Sequence, residues 1–141
     1  MNFLIEGKAL SQKNDVVIRK AKGGRYFVGH SQKLSKVRDQ ISKDVFQQYL
    51  DQGYSDPIDY LCEFSFKFFC LRQHEPDVDN LAQIFLDALQ GIKNKKEGTV
   101  EYQVLKNDKL VRVIRCEKIV LGDLDYNGEP RTEFEIREYQ K

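Results

Sequence analysis

The chain has 141 residues, of which 40% are hydrophobic and 32% are charged, a composition typical of an ordinary soluble globular protein. We expect residues 1–141 to form a single domain, which is large enough to bury one core without disulfides or structural zinc. No apolar run approaches the roughly 18 residues of a membrane span, and no signal-peptide pattern follows the first residues. We therefore expect a cytoplasmic protein with no membrane partner.

The net charge of +1 conceals a division along the chain. Residues 1–50 carry ten Lys or Arg against four Asp or Glu, a net +6, whereas residues 51–90 carry two against eight, a net −6. Residues 91–141 are nearly balanced. A basic segment beside an acidic one suits a protein that binds phosphates with one part and a cation with another. Charges that merely cover a solvated surface are the alternative.

Cysteine and histidine usage argues against a zinc site. The three cysteines form no CxxC pair, and His30 and His74 have no Cys or His neighbour at zinc spacing. Cys62 and Cys70 fall on one predicted strand, too far apart to bridge each other. We expect buried free thiols.

Short β-type runs open the chain. Asn2–Glu6 is a predicted strand, and Asp15–Arg19 with Arg25–Gly29 predict a basic hairpin around Gly23-Gly24. A helix follows from Leu34, with Ser31 as its N-cap and Gly53 as its end. The apolar residues at helical spacing are Leu34, Val37, Ile41, Val45, Tyr49 and Leu50.

The middle of the chain predicts one long strand and a second helix. Every second residue from Ile58 to Cys70 is apolar or aromatic, which is the pattern of a half-buried strand. The second helix is predicted with Asn80 and Gln83 as a capping box and Gly91 near its end. Its apolar face comprises Leu81, Ile84, Phe85, Ala88, Leu89 and Ile92.

The last third is predicted to be β-structure. Val100–Leu105 and Val111–Leu121 have strand patterns, and Asn127-Gly128 is a hairpin signal before Thr132–Ile136. The order of elements predicts an α+β fold in which two helices pack on one mixed sheet.

Two aspartates between the long strand and the second helix are candidates for metal binding. In extended chain, Asp77 and Asp79 would project to the same side, and their carboxylates would repel unless a cation lay between them. Mg²⁺ or Mn²⁺ would relieve that repulsion. The alternative is an ordinary helix start, where Asp and Asn are favoured; Asn80 and Gln83 already account for the cap, however.

A third ligand would make the site more convincing. Asp108 precedes a predicted strand and could approach from a neighbouring position, although Asn-Asp-Lys is also common turn chemistry. Asp87 lies on the polar side of the second helix, and we interpret it as structural.

These segments resemble the RusA family of Holliday junction resolvases. Residues Pro76–Leu81 (PDVDNL) match the family's acid–x–acid–Asn–Leu group, and Leu86–Gly91 (LDALQG) match the helix that follows it. Resemblance extends over most of the chain but is strong only across about residues 75–91. The family also carries two adjacent acids, a spacer, Gln-Val and a later Lys; Asn107–Val111 followed by Lys118 keeps that spacing.

The chain departs from the family pattern at several places. Asn107 replaces the first of the two acids, and Gln83 replaces a Lys that is frequent in the family. A rival register uses Glu101 as the third acid but has no Lys at the right distance. Either register implies an insertion after Gly91.

The resemblance implies a homodimer that cuts four-way DNA junctions and other branched DNA with Mg²⁺, or alternatively Mn²⁺, held by Asp77, Asp79 and Asp108. Basic side chains would bind the phosphate backbone, and Tyr26 and Phe27 belong either to the core or to a wedge in the junction. The expected DNA-binding residues are Lys8, Lys13, Arg19, Lys20, Lys22, Arg25 and Lys118.

Two other functions are compatible with the sequence. The first is a RusA-like protein that binds junctions without cutting them, as Gln83 and Asn107 allow. The second is a small protein-interaction domain whose resemblance to the family is accidental.

Overall fold

The computed structural model describes residues 1–7, 16–20, 26–30, 32–72, 78–122 and 128–140, and side chains within 1–7, 34–72, 81–122 and 128–140. The elements in chain order are β1 (Asn2–Glu6), β2 (Val16–Lys20), β3 (Tyr26–His30), α1 (Gln32–Asp51), β4 (Cys62–Cys70), α2 (Val78–Leu89), β5 (Ile92–Asn94), β6 (Thr99–Glu101), a 3₁₀ turn (Asp108–Leu110), β7 (Val111–Val120) and β8 (Arg131–Glu138).

The main sheet has four strands in the order β1-β8-β4-β7. β4 and β7 are parallel, whereas β8 is antiparallel to both β1 and β4. β2 with β3 and β5 with β6 form two separate antiparallel ribbons. The predicted α+β class with a mixed sheet is therefore confirmed, and so is the predicted hairpin near the N-terminus.

The core lies on one face of the sheet. In β4 the side chains of Phe64, Phe66 and Phe68 are at most 2% exposed, while the alternate positions point to the open face. The Phe85 ring of α2 packs 5.7 Å from Phe66 and 6.0 Å from Phe68. Burial of each such side chain contributes about 1.5–3 kcal/mol, which holds both helices on this face.

Helix α1 begins and ends close to its predicted limits. The Gly53 amide bonds to the Leu50 carbonyl and the Tyr54 amide to the Tyr49 carbonyl, and Gly53 has φ +91°. This is the Schellman arrangement that releases the chain from a helix. The predicted cap Ser31 lies outside the described residues. None of the described helices is long and apolar enough to cross a membrane.

Three predicted boundaries were wrong. β4 begins at Cys62 because Ile58 pairs with Leu105 instead, and Tyr60 is 40% exposed. Helix α2 ends at Leu89, so Ile92 belongs to β5 rather than to the helix. The predicted strand Val100–Leu105 is reduced to β6, which pairs with β5 in a short ribbon.

The predicted hairpin before β8 was also wrong. Gly128 precedes β8, but the neighbours of β8 are β1 and β4, and β4 separates it from β7. Asn127 itself lies outside the described residues. The Asn-Gly signal therefore does not join two paired strands here.

Gly91 should be intolerant of any side chain. It has φ +87°, and a Cβ there would lie 2.5 Å from the Glu101 carbonyl oxygen and 2.8 Å from a Val100 methyl. We expect Gly91→Ala to lower the free energy of unfolding by about 3 kcal/mol or more, because backbone strain and overpacking combine. Urea denaturation measures it.

Gly98→Ala is the matched control, since Gly98 has φ +66° with nothing within 4 Å of the added Cβ. We expect a loss of about 1 kcal/mol from strain alone. Equal losses in the two variants would mean that the close approach to β6 is unimportant.

Candidate metal and nucleic-acid site

Because β4 and β7 are parallel, both strands begin at one end of the sheet and both finish at the other. We call these two ends the amino edge and the carboxyl edge. At the carboxyl edge both strands end, with Cys70 opposite Val120 and the Leu121 amide bonded to the Cys70 carbonyl. At the amino edge both strands begin, with Cys62 opposite Val111. A segment that directly precedes β4 or β7 therefore lies at the amino edge, and a segment that directly follows either strand lies at the carboxyl edge.

Helix α2 runs from the carboxyl edge back to the amino edge. Its last residue, Leu89, accepts hydrogen bonds from the amides of Val104 and Leu105, and Leu105 pairs with Ile58, just before β4. Its first turn therefore lies at the carboxyl edge. The positive end of the helix dipole faces the place where the chain leaves β4.

Asp79 belongs to the first turn of α2, and Asp77 lies just before the helix, outside the described residues. The helix begins at Val78, so the extended geometry predicted for Asp79 was wrong. Asn80 is likewise inside the helix and not its cap. Gln83 does not form the predicted capping box; its amide donates to the Asp87 carboxylate at 3.0 Å.

Asp108 lies at the opposite edge. It is exposed on the 3₁₀ turn that leads into β7, and Leu110 of that turn contacts the Cys62 thiol, with its carbonyl 3.8 Å from Sγ. The eight residue steps of β4 span about 26 Å, which separates this turn from the start of α2. Within one chain, Asp108 is therefore separated from the first turn of α2, to which Asp79 belongs.

The rival acid does not fill the gap. Glu101 is exposed in β6, whose backbone packs against Gly91 beyond the carboxyl end of α2. Among the described residues, no group of three His, Cys, Asp or Glu side chains is arranged to hold a metal.

One acidic pair was missed by the sequence reasoning. Asp123 and Asp125 follow β7 with the same acid–x–acid spacing as Asp77 and Asp79, which follow β4. They lie outside the described residues, one and three positions after Gly122 in the sequence. The spacing of the two acids can be seen in the sequence. Only the parallel pairing of β4 and β7 shows that both acidic pairs follow strands that end at the same edge of the sheet.

Cations near the carboxyl edge include Lys118, Arg131 and Arg72, which follows β4 by two residues. Lys118 is half-buried in β7, opposite Phe68 and on the face that carries α2. The Arg131 guanidinium lies 3.7 Å from the centre of the Phe69 ring and pairs with Glu133. Arg131 was not a candidate from sequence, because its role depends on β8 lying beside β4.

The basic hairpin is formed by β2 and β3, with Arg19 opposite Phe27 and Lys20 opposite Tyr26. The other four cations expected to bind DNA in this region lie outside the described residues; they are Lys8, Lys13, Lys22 and Arg25.

Comparison with known proteins gives no assignment. No protein-family model matches the chain, and no curated protein matches it. The resemblance to the RusA family therefore stays a prediction.

The Cys62 thiol should make stability depend on alkaline pH. Its complete burial raises its pKa from 9.0 to about 11. The protonated thiol is favoured in the folded state, so its contribution is full below pH 9 and is lost as the pH rises towards 11. We expect wild type to lose about 1–3 kcal/mol more than Cys62→Ala across this range.

Urea denaturation of both proteins at pH 8 and pH 10.5 would measure this difference. The other ionisable groups are common to both proteins, although Cys62 also raises the pKa of Tyr60, after burial as the larger cause. Parallel pH profiles would exclude Cys62 as the cause.

Proposed function

We propose that the chain is a Mg²⁺-dependent, structure-selective endodeoxyribonuclease that resolves four-way DNA junctions in the manner of the RusA family. The supporting observation is the junction of β4 and α2. The PDVDNL motif follows β4, which ends beside its parallel neighbour, and the last four residues of the motif begin α2. Loops at the carboxyl ends of parallel strands are common ligand sites in α/β sheets.

The donor set fits a hard divalent cation. Asp77 and Asp79 would provide carboxylate oxygens, which Mg²⁺ and Mn²⁺ prefer. A third carboxylate would come from Asp123 or Asp125 of the same chain, or from Asp108 of another copy. When bound, the ion polarises the scissile phosphodiester and offsets the charge that develops on it.

The remaining residues would bind and orient DNA. Lys118 would attract a phosphate oxygen, and the first turn of α2 offers backbone amides that have no partner within the helix to the same anion. Arg19 and Lys20 of the basic hairpin would bind phosphates farther along an arm of the junction. Contacts of this kind recognise the shape of DNA rather than its sequence.

Asp77→Asn should abolish cutting of a synthetic four-way junction in Mg²⁺ while binding is retained. The substitution removes a charged ligand but leaves the shape of the side chain, so we expect at least about a hundredfold loss in cleavage rate. Gel analysis of cleavage and fluorescence anisotropy of binding would measure the two effects.

Asp87→Asn is the matched control, because Asp87 is bonded to Gln83 on the outer side of α2. It should cut at close to the wild-type rate. An Asp77→Asn protein that still cuts would remove this aspartate from the site.

A junction-binding protein without catalysis is the second candidate. It is favoured by the distance between Asp108 and the start of α2 in one chain. Tight, salt-sensitive junction binding with no cleavage in Mg²⁺ or Mn²⁺ would select it. Both candidates predict that the basic hairpin binds DNA, so they share one test.

Arg19→Gln with Lys20→Gln should reduce the salt dependence of junction binding. Each lost phosphate contact lowers the slope of log affinity against log salt by about 0.7–0.9. Lys95→Gln with Lys96→Gln, in the exposed turn between β5 and β6, removes the same charge and should leave the slope unchanged. If the wild-type protein shows no salt-dependent binding of the junction at all, the result would favour a protein-interaction domain.

A further inference from the structure

A narrow cleft opens on the helix side of the main sheet, between the end of β1 and the two helices. Its walls are apolar and consist of Ile5 of β1, Val37 and Ile41 of α1, and Ile84 and Phe85 of α2. Its volume is about 160 Å³. A cavity of about 150 Å³ in another protein holds benzene, so the cleft has room for about six non-hydrogen atoms.

Thr132 is the polar residue at the inner end of this cleft. It lies opposite Ile5 of β1 and Phe68 of β4, so its side chain is on the face that carries the helices. Thr132 is 1% exposed, and within the described part of the chain its hydroxyl has no hydrogen-bond partner. Buried polar groups are nearly always paired, because an unpaired one loses its bonds to water without replacement. The hydroxyl is therefore available to a ligand.

The outer end of the cleft is acidic. Glu6 at the end of β1 and Asp44 of α1 are both exposed there, and neither has a cation as partner among the described residues. Asp44 accepts a hydrogen bond from the neutral Gln48 amide at 2.8 Å, which leaves its charge uncompensated. None of the described residues that line the cleft is a Lys, Arg or His. The opening therefore attracts a cation and repels a phosphate or a carboxylate.

The two ends of the cleft determine how a ligand is oriented. Its positive group would lie at the opening and a neutral hydrogen-bonding group at the inner end, with a short carbon chain between the apolar walls. A lysine side chain of a partner protein would enter with its ammonium first and carry the charge into the apolar interior, where loss of water is costly. A free small molecule can enter with its neutral end first.

We propose that the cleft binds a free short-chain amine with a hydroxyl group at its far end, whose ammonium lies between Glu6 and Asp44 and whose hydroxyl bonds to Thr132. The inference does not rest on the proposed nuclease function, because none of these three residues belongs to that site.

Three probes of equal length separate the contributions of the two ends. 4-Amino-1-butanol carries both groups, n-pentylamine has a methyl in place of the hydroxyl, and 1,4-butanediol has a hydroxyl in place of the ammonium. We expect the wild-type protein to bind pentylamine at least about fivefold more weakly than aminobutanol, because Thr132 then stays unpaired. Butanediol should also bind at least about fivefold more weakly, because the carboxylates gain no cation.

The isoleucine methyl groups show where the probes bind. In a titration followed by NMR of carbon-13-labelled isoleucine methyls, the signals of Ile5, Ile41 and Ile84 should shift, because these residues line the cleft. Ile58 and Ile136 are each 1% exposed and do not line it, so they are internal controls. Shifts that are absent, or that are spread equally over all five residues, would overturn the site.

Thr132→Val tests the inner end. Valine keeps the branched shape of the side chain and removes a buried hydroxyl without a partner, so the variant should fold as the wild type does. The ratio of the affinities for aminobutanol and pentylamine should change at least about tenfold in favour of pentylamine. An unchanged ratio would mean that water rather than a ligand satisfies Thr132, and the proposal would fail.

Glu6→Gln tests the outer end. It should weaken the binding of both amines at least about threefold, since one carboxylate is lost, and leave the affinity for butanediol unchanged. Glu97→Gln, in the exposed turn between β5 and β6, removes the same charge away from the cleft and is the control. Equal effects of the two variants on the amines would show that general surface charge attracts them, which contradicts a built site.

Discussion

The parallel pairing of β4 with β7 is the constraint on which the rest of the structure depends. Two parallel neighbours in one sheet need a crossover connection, and the connection from β4 to β7 contains α2 followed by the β5–β6 ribbon. Because α2 is packed between the sheet and α1, it must be apolar on nearly every side. Seven of its residues are accordingly at most 6% exposed: Leu81, Ala82, Ile84, Phe85, Leu86, Ala88 and Leu89. The Ser42 hydroxyl, bonded to the Ala88 carbonyl at 2.7 Å, fixes α1 against it.

The parallel pairing of β4 and β7 also determines at which edge of the sheet each polar residue lies. Whatever follows β4 or β7 is at the carboxyl edge, and whatever precedes them is at the amino edge. The start of α2 and Lys118 therefore lie together, while Asp108 is separated from them. Chemistry at the carboxyl edge can use the helix dipole and a half-buried cation, both of which favour a bound phosphate. Among the described residues, the amino edge has neither.

Periodicity predicted most elements, because the faces of β4, α1 and α2 are clearly marked by apolar residues. It could not predict which strands are neighbours. Asn127-Gly128 signalled a hairpin, yet β4 lies between β7 and β8. The limits of β4 and α2 shifted because Ile58 pairs with Leu105 and because Gly91 stops the helix. For the site, the motif at Pro76–Leu81 could be found from sequence, but the position of Asp108 could not, because it depends on strand order.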